Sequence, residues 1–293
     1  MVFSVPSRAA NIGRRAKKSI NHRVVPLAPM SNVMEPRPAA TVMLVRDGDA
    51  GFEVLMLKRN LNSDFVGGAY VFPGGGVDAL DAAPDTELLV EGLGDVDASQ
   101  RLALPSGGLA YYVACLRELF EEAGLLLART ATGDHVRFDD PVVHERFAAH
   151  RRSVNGSERR FLDVIAEEGL RLDLTALEYF AHWVTPIGPP RRYDTRFFVA
   201  LAPRHQVAAH DAGETIADEW VRPHDALHRH RAGELEMIFP TIRNLEAIAD
   251  LPHAAAVLEH AQQRRDIPRI EPKFVSVDGT VTIVMPGDEL WED

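Results

Sequence analysis

Arg117-Glu118-Leu119-Phe120-Glu121-Glu122-Ala123-Gly124-Leu125 is the stretch on which the reading of this chain turns. Three carboxylates and one arginine fall within its first six positions, and a glycine stops it. Wound as a helix, the segment puts Glu118, Glu121 and Glu122 at i, i+3 and i+4, on one face. Leu116, Leu119, Phe120 and Ala123 form an apolar flank, and Gly124 is a natural C′ residue. Like charges at this spacing cost a helix roughly 0.2–0.5 kcal/mol per pair. A Glu-rich face is ordinarily solvated surface. Hard oxygen donors gathered on one face also suit Mg²⁺ or Mn²⁺, so the surrounding sequence has to decide.

Upstream the chain reads Phe72-Pro73-Gly74-Gly75-Gly76-Val77-Asp78-Ala79-Leu80-Asp81. The apolar run Ala69 to Phe72 looks like a strand, and Pro73 keeps Phe72 extended. Three glycines permit positive φ and close approach of backbone groups to a ligand. Alone, this is a strand-ending turn. Together the two segments resemble the Nudix box of the MutT/Nudix hydrolases, G-x5-E-x7-R-E-U-x-E-E-x-G-U, where U is a bulky aliphatic residue. Arg117 to Leu125 match every fixed position of the second half. The first half starts at Gly75, and five intervening residues lead to Asp81, where the family usually has Glu. Residues 82 to 116, 35 in all, then replace the family's seven. This long interruption is similar to that of peroxisomal-type coenzyme A diphosphatases and their bacterial relatives. Their upstream signature, L-L-T-x-R-[SA]-x3-R-x3-G-x3-F-P-G-G, is matched at Leu55, Arg59, Gly68 and Phe72 to Gly75. Leu57, Asn60 and Asp64 depart from it, and Asp64 removes a phosphate-pairing cation. The segments Trp183–Pro186, Arg191–Phe198 and Pro240–Leu245 resemble the same branch.

The chain has 293 residues, 46% of them hydrophobic, enough for a full core. No apolar run is long enough for a membrane span, and no signal-peptide pattern opens the chain. A lone cysteine, Cys115, excludes an internal disulfide framework and fits a reducing cytoplasm. Cys115 is expected to pack as a small apolar residue. Charge is uneven: residues 1–40 hold seven Lys or Arg against one acid, and the remainder is strongly acidic. An acidic body repels long polyanions, which argues against nucleic acid as a partner. Arg14, Arg15, Lys17 and Lys18 belong to an expected disordered leader over 1–37, followed by one domain over 38–293.

Along that domain, Ala39–Arg46 and Phe52–Arg59 read as a hairpin across Asp47-Gly48-Asp49. A third strand near Tyr70 leads into the glycine turn. An excursion over about 82–108, with one short helix at Asp97–Leu102, precedes the box helix at about Gly108–Ala123. Residues 141–170 pattern as two helices. Further strands are expected at Tyr179–Val184, Arg196–Leu201 and Trp220-Val221, and helices at Pro223–Ala232, Pro240–Asp250 and Ala254–Arg264. A late hairpin, Phe274–Val277 and Val281–Met285, turns at Asp278-Gly279. The fold class is α+β, and the resemblance implies an α/β/α sandwich with a mixed sheet plus helical insertions.

The resemblance implies a metal-dependent hydrolase that cleaves the diphosphate of a nucleoside diphosphate linked to another moiety. Coenzyme A or acyl-coenzyme A leads; NADH, ADP-ribose or a nucleotide sugar is the alternative, and a non-catalytic nucleotide-binding regulator the third. Glu118, Glu121 and Glu122 would hold Mg²⁺ (or Mn²⁺), with the carbonyl of Gly75 adding an oxygen. Arg117 would orient Glu121. Glu214, six residues before Trp220, is a candidate fourth ligand or general base, with the box glutamates as rivals for the base. Arg59, Arg192, Gly74 and Gly75 are the candidates for substrate binding. Trp183 and Tyr193 could stack on an adenine or simply pack. His228 and His230 read as a solvated helix face. The expected partner is a small-molecule diphosphate, in the cytoplasm, without nucleic acid or membrane; a homodimer is left open.

Overall fold

The computed structural model describes residues 24–26, 34–61, 67–278 and 280–291. Arg14 to Lys18 of the leader, and Asp64, lie outside the described residues. The strands are β1 (Val24–Pro26), β2 (Arg37–Gly48), β3 (Gly51–Arg59), β4 (Tyr70–Val71), β5 (Gly74–Gly76), β6 (Val90–Glu91), β7 (Ala128–Arg129), β8 (Arg171–Asp173), β9 (Glu178–Val184), β10 (Tyr193–Leu201), β11 (Thr215–Val221), β12 (Arg269–Ile270), β13 (Lys273–Val277) and β14 (Thr280–Val284). The helices are α1 (Asp95–Arg101), α2 (Gly108–Ala123), α3 (Pro141–Asn155), α4 (Phe161–Glu167), α5 (Pro223–Arg231), α6 (Phe239–Ile248) and α7 (Ala254–Gln263). None of them is long and apolar enough to cross a membrane.

Contacts divide the chain into two compact units. The larger comprises Arg37–His182 and Thr195–Pro268. Its main sheet runs β11-β3-β2-β10-β9, with β4 on the edge of β3 and β5 on β2. The hairpin β2–β3 pairs Gly48 with Gly51, so the turn is Asp49-Ala50, one residue beyond the expected Asp47-Gly48-Asp49. β2 alternates poorly in sequence because both of its faces are covered. Ala40, Val42 and Leu44 join Leu55 and Leu57 of β3 in the core under α2. Met43, Val45, Val54 and Met56 are buried outside that cluster, and α7 also packs on β2. Helix on sheet on helix follows from that two-sided burial.

α2 is buried along almost its whole length, Tyr112 to Leu116 completely. It begins after Gly107 and ends at Gly124, both left-handed at φ 78° and 68°. The insertion differs from the surface excursion expected of it. Val90, Leu93, Ala98 and Leu102 are buried in the same core as α2. β6 pairs in parallel with β8, which pairs antiparallel with β7, giving a small mixed sheet. The Asp95 carboxylate accepts from Gly107 N at 3.0 Å and from Leu109 N at 3.0 Å, and Ser99 Oγ accepts from Gly108 N at 2.8 Å. The insertion thus supplies the N-terminal cap of α2, whose first amides lack intrahelical partners. Sequence suggested solvent exposure because the segment is acidic; part of that acid is spent on capping.

The smaller unit comprises Met1–Pro36, Trp183–Asp194 and Arg269–Asp293. In it β1, β13 and β14 form an antiparallel sheet. β1 falls within the stretch expected as a disordered leader.

Candidate active site

The glycine turn and α2 meet although a long segment separates them in sequence. β5 pairs with Ala39–Thr41 of β2, with Gly74 opposite Thr41 and Gly75 opposite Ala40, and α2 packs against it. A side chain at Gly74 would put its Cβ 2.5 Å from Ala40 O, inside backbone contact distance. The Gly74 amide donates to Glu122 Oε2 at 2.9 Å. A Cβ at Gly75 would come within 2.6 Å of the Glu118 carboxylate. The glycines therefore let two box carboxylates lie directly against the turn.

Arg117 ties the arrangement together. Its Nε and Nη2 donate to the two oxygens of Asp81 at 2.9 and 3.0 Å. Nη1 donates to Glu118 at 2.7 Å and to Glu121 at 3.2 Å, and Nη2 also reaches Gly76 O at 2.8 Å. Burial opposes the charge on Arg117, but the bond to Asp81 and the charges of Glu118 and Glu121 outweigh it and hold its pKa above the ordinary value. Arg117 thus orients two glutamates rather than Glu121 alone. Asp81, whose short side chain left its role open, is buried and grips Arg117 while accepting from Asp78 N at 2.8 Å. An Asp serves here because the Arg117 side chain spans the gap.

Burial is the largest influence on the box carboxylates. It pushes Glu118 up to about 7 despite Arg117. It also raises Glu121 against the pull of Arg117. Glu122, fully enclosed, is driven well up by burial and by Glu118, against the Gly74 amide and Arg59. Glu214 is exposed in the loop before β11, and its charge adds to the raising of all three. That loop is anchored by Asn60 N to Glu214 O at 2.8 Å and by Glu214 N to Asp211 at 2.9 Å. Arg59, the last residue of β3, lies close enough to act on Glu122, and among the described residues its Nε is buried without a partner.

Arg192 has a different task from the one expected. It is buried in the smaller unit, donating to Thr185 O at 3.0 Å, to Met34 O at 2.7 Å and to Glu271. With its guanidinium consumed by these partners, it is corrected to a structural residue. Trp183 is likewise buried.

A cavity of about 660 Å³ opens beside the cluster, with Glu118, Glu121, Glu122 and Glu214 on its wall. Sequence reasoning missed two further groups on that wall. Arg151 of α3 donates from Nε to Glu121 O at 2.9 Å. His210 is held through Nδ1 by Asp218 at 2.7 Å. The signal for Arg151 was weak: it has no acid at i±3 or i±4 to pair with on its own helix.

A divalent ion fits the donor chemistry. The carboxylates are hard oxygen ligands, and their crowding leaves an excess of negative charge that a cation would relieve. Among the described residues, no group of three or more His, Cys, Asp and Glu side chains is arranged to hold an ion; Arg117 and the Gly74 amide engage the box carboxylates.

A glycine turn clamped to a Glu-rich helix through an arginine defines a Nudix-type site. The chain is similar to a Nudix hydrolase crystal structure from Alicyclobacillus acidocaldarius, at 29% identity and TM-score 0.62 over 80% of this chain and 99% of that one. It is 28% identical to the acyl-coenzyme A diphosphatase NUDT19 of Homo sapiens over 280 residues, 82% of this chain and 72% of that protein. Identity to the Gallus gallus protein of the same name is 29% over 287 residues, 84% and 74% of the two chains. The NUDT19 Nudix domain model matches residues 94–248, more than half of the sequence, and the chain belongs to that family of Nudix hydrolases.

Proposed function

We propose that this Nudix hydrolase cleaves the diphosphate of coenzyme A or an acyl-coenzyme A, using Mg²⁺ or Mn²⁺. The observation that carries the reading is the joining of the split box: Gly74 N–H on Glu122 and Arg117 across Asp81, Glu118 and Glu121. The names of the relatives supply the substrate class.

In this reading Glu118, Glu121 and Glu122, with the Gly75 carbonyl, hold the divalent ion. Bound there, the ion lowers the pKa of water and neutralises phosphate oxygens that gain charge in the transition state. The chain's own groups do the rest. Arg117 keeps two glutamates oriented, a support on which ligand geometry depends. The Gly74 amide fixes the rotamer of Glu122. Arg59 neutralises a non-bridging phosphate oxygen, and the glycine backbone admits the diphosphate closely. Glu214, exposed on the cavity wall, accepts the proton of the attacking water. That water's oxygen bonds to one phosphorus, and the bridging P–O bond breaks. The products are an adenosine bisphosphate and a phosphopantetheine, acylated or free.

The test is turnover of a panel of coenzyme A, acyl-coenzyme A, NADH, ADP-ribose and nucleotide sugars with Mg²⁺ or Mn²⁺, with products followed by mass. Coenzyme A species should react fastest, and Glu122→Gln should lose at least about a hundredfold in kcat. A preference for NADH or ADP-ribose would move the substrate assignment. No turnover of any diphosphate would refute the enzyme reading.

A further inference from the structure

We propose that Arg151 is a second diphosphate-binding residue of this site, presented by α3 at the C-terminal end of the box helix. The proposal rests on the diphosphatase reading above and adds a specificity element outside the Nudix box. α3 lines the cavity with His144, Phe147, Ala148, Arg151, Arg152 and Asn155. Their spacing of i, i+3, i+4, i+7, i+8 and i+11 is a single helical face. That face is graded, apolar at Phe147 and Ala148 and cationic at Arg151 and Arg152.

Arg151 is held in place without being used up. Its Nε donates to Glu121 O at 2.9 Å, and Asn155 Nδ2 shares that carbonyl at 3.2 Å. The guanidinium lies over Gly124, where an added Cβ would sit 2.9 Å from Arg151 Nη1. Gly124 therefore has two tasks: it ends α2 in a left-handed turn, and its missing side chain makes room for this arginine. A cation at a helix C-terminus is favourable in itself, and a capping role accounts for Nε. It does not account for the other two nitrogens. Among the described residues neither forms a hydrogen bond to the protein, and Nη2 is buried without a partner. A buried, unpaired donor is costly unless a ligand satisfies it. The fork geometry of a guanidinium matches two phosphate oxygens. The ligand class is an organic diphosphate whose anionic centre meets Arg151 and whose apolar substituent runs along Phe147 and Val207, both on the cavity wall.

Three proteins are compared: wild type, Arg151→Gln and Arg151→Lys. Two readouts are taken: steady-state kinetics on coenzyme A, and the rise in thermal midpoint produced by inorganic pyrophosphate with Ca²⁺. Arg151→Gln should raise KM roughly ten- to a hundredfold, while the midpoint without ligand stays near wild type. Its pyrophosphate shift should disappear, and Arg151→Lys should recover part of both effects. Unchanged KM and an unchanged pyrophosphate shift would overturn the proposal. So would a lower unliganded midpoint with intact pyrophosphate affinity, which would make Arg151 a helix cap only. If Arg151→Gln does not fold, Arg151→Lys carries the same comparison; failure of both to fold assigns the residue to the fold and overturns the proposal. A wild type that turns over no diphosphate refutes the function reading, while the pyrophosphate shift still decides the role of Arg151.

Discussion

Arg117 shows how much of this site depends on one side chain. It joins both halves of a motif separated by residues 82–116, and its grip on Glu118 and Glu121 is set by Asp81 behind it. Removing one partner of a buried pair leaves the other charge uncompensated, at a cost of about 3–5 kcal/mol. Asp81→Ala leaves Arg117 with Glu118, Glu121 and Gly76 O, so it is expected to lower unfolding free energy in urea titrations by less than that, about 1–3 kcal/mol, and to reduce kcat because the arginine that holds both glutamates loses its own support. Gly75→Ala separates activity from stability. The atoms its Cβ would meet belong to the Glu118 side chain, which can swing away. Activity is expected to fall by an order of magnitude or more while the thermal midpoint moves little; an equal loss in both would refute this account of Gly75. The box pattern was legible from residues alone because the carboxylate spacing follows helix geometry. The roles of Asp81 and Arg151 were not, because their partners lie far away in sequence.

At the scale of elements, α2 is capped by α1, an element of the insertion. The bonds from Leu109 N and Gly107 N hold the Asp95 carboxyl below its usual pKa. A carboxylate depressed in the folded state contributes stability above its unfolded pKa of about 3.9, and loses it as pH falls through the folded value. Asp95→Asn, which keeps one of the two acceptors, should therefore lower the unfolding free energy in urea at pH 7 by about 1 kcal/mol, the worth of one hydrogen bond. The gap to wild type should close as the pH is taken below about 4; a constant gap from pH 7 to 3 would exclude the cap. The helices were readable in advance: α2 was expected at Gly108–Ala123 and is found there, and α5, α6 and α7 end within two residues of expectation. Their amphipathic periods, and the glycines that follow α2 and α5, are local signals. β6, β7 and β8 were not anticipated, since strands of two or three residues have no period to read and exist only through pairing.

For the molecule as a whole, the insertion is part of the fold. Val90, Leu93, Ala98 and Leu102 are buried with α2, and each such side chain contributes about 1.5–3 kcal/mol of burial, Ala98 less. Their sum approaches the whole stability of a typical domain, about 5–15 kcal/mol. Replacing residues 82–107 by a short linker should leave a chain without a cooperative thermal transition in circular dichroism. A deletion variant that melts like wild type would show the segment to be dispensable. Sequence by itself determined the fold class, the order of the main elements and the identity of the box, because these follow from hydrophobic period, capping residues and fixed spacing along the chain. Tertiary structure alone decided that the insertion enters the core and that Arg192 is a buried structural cation. It likewise decided that Asp81 holds Arg117 and that Arg151 stands at the C-terminal end of α2. Each of these depends on which distant residue satisfies a buried charge or donor, and only the folded chain supplies that partner.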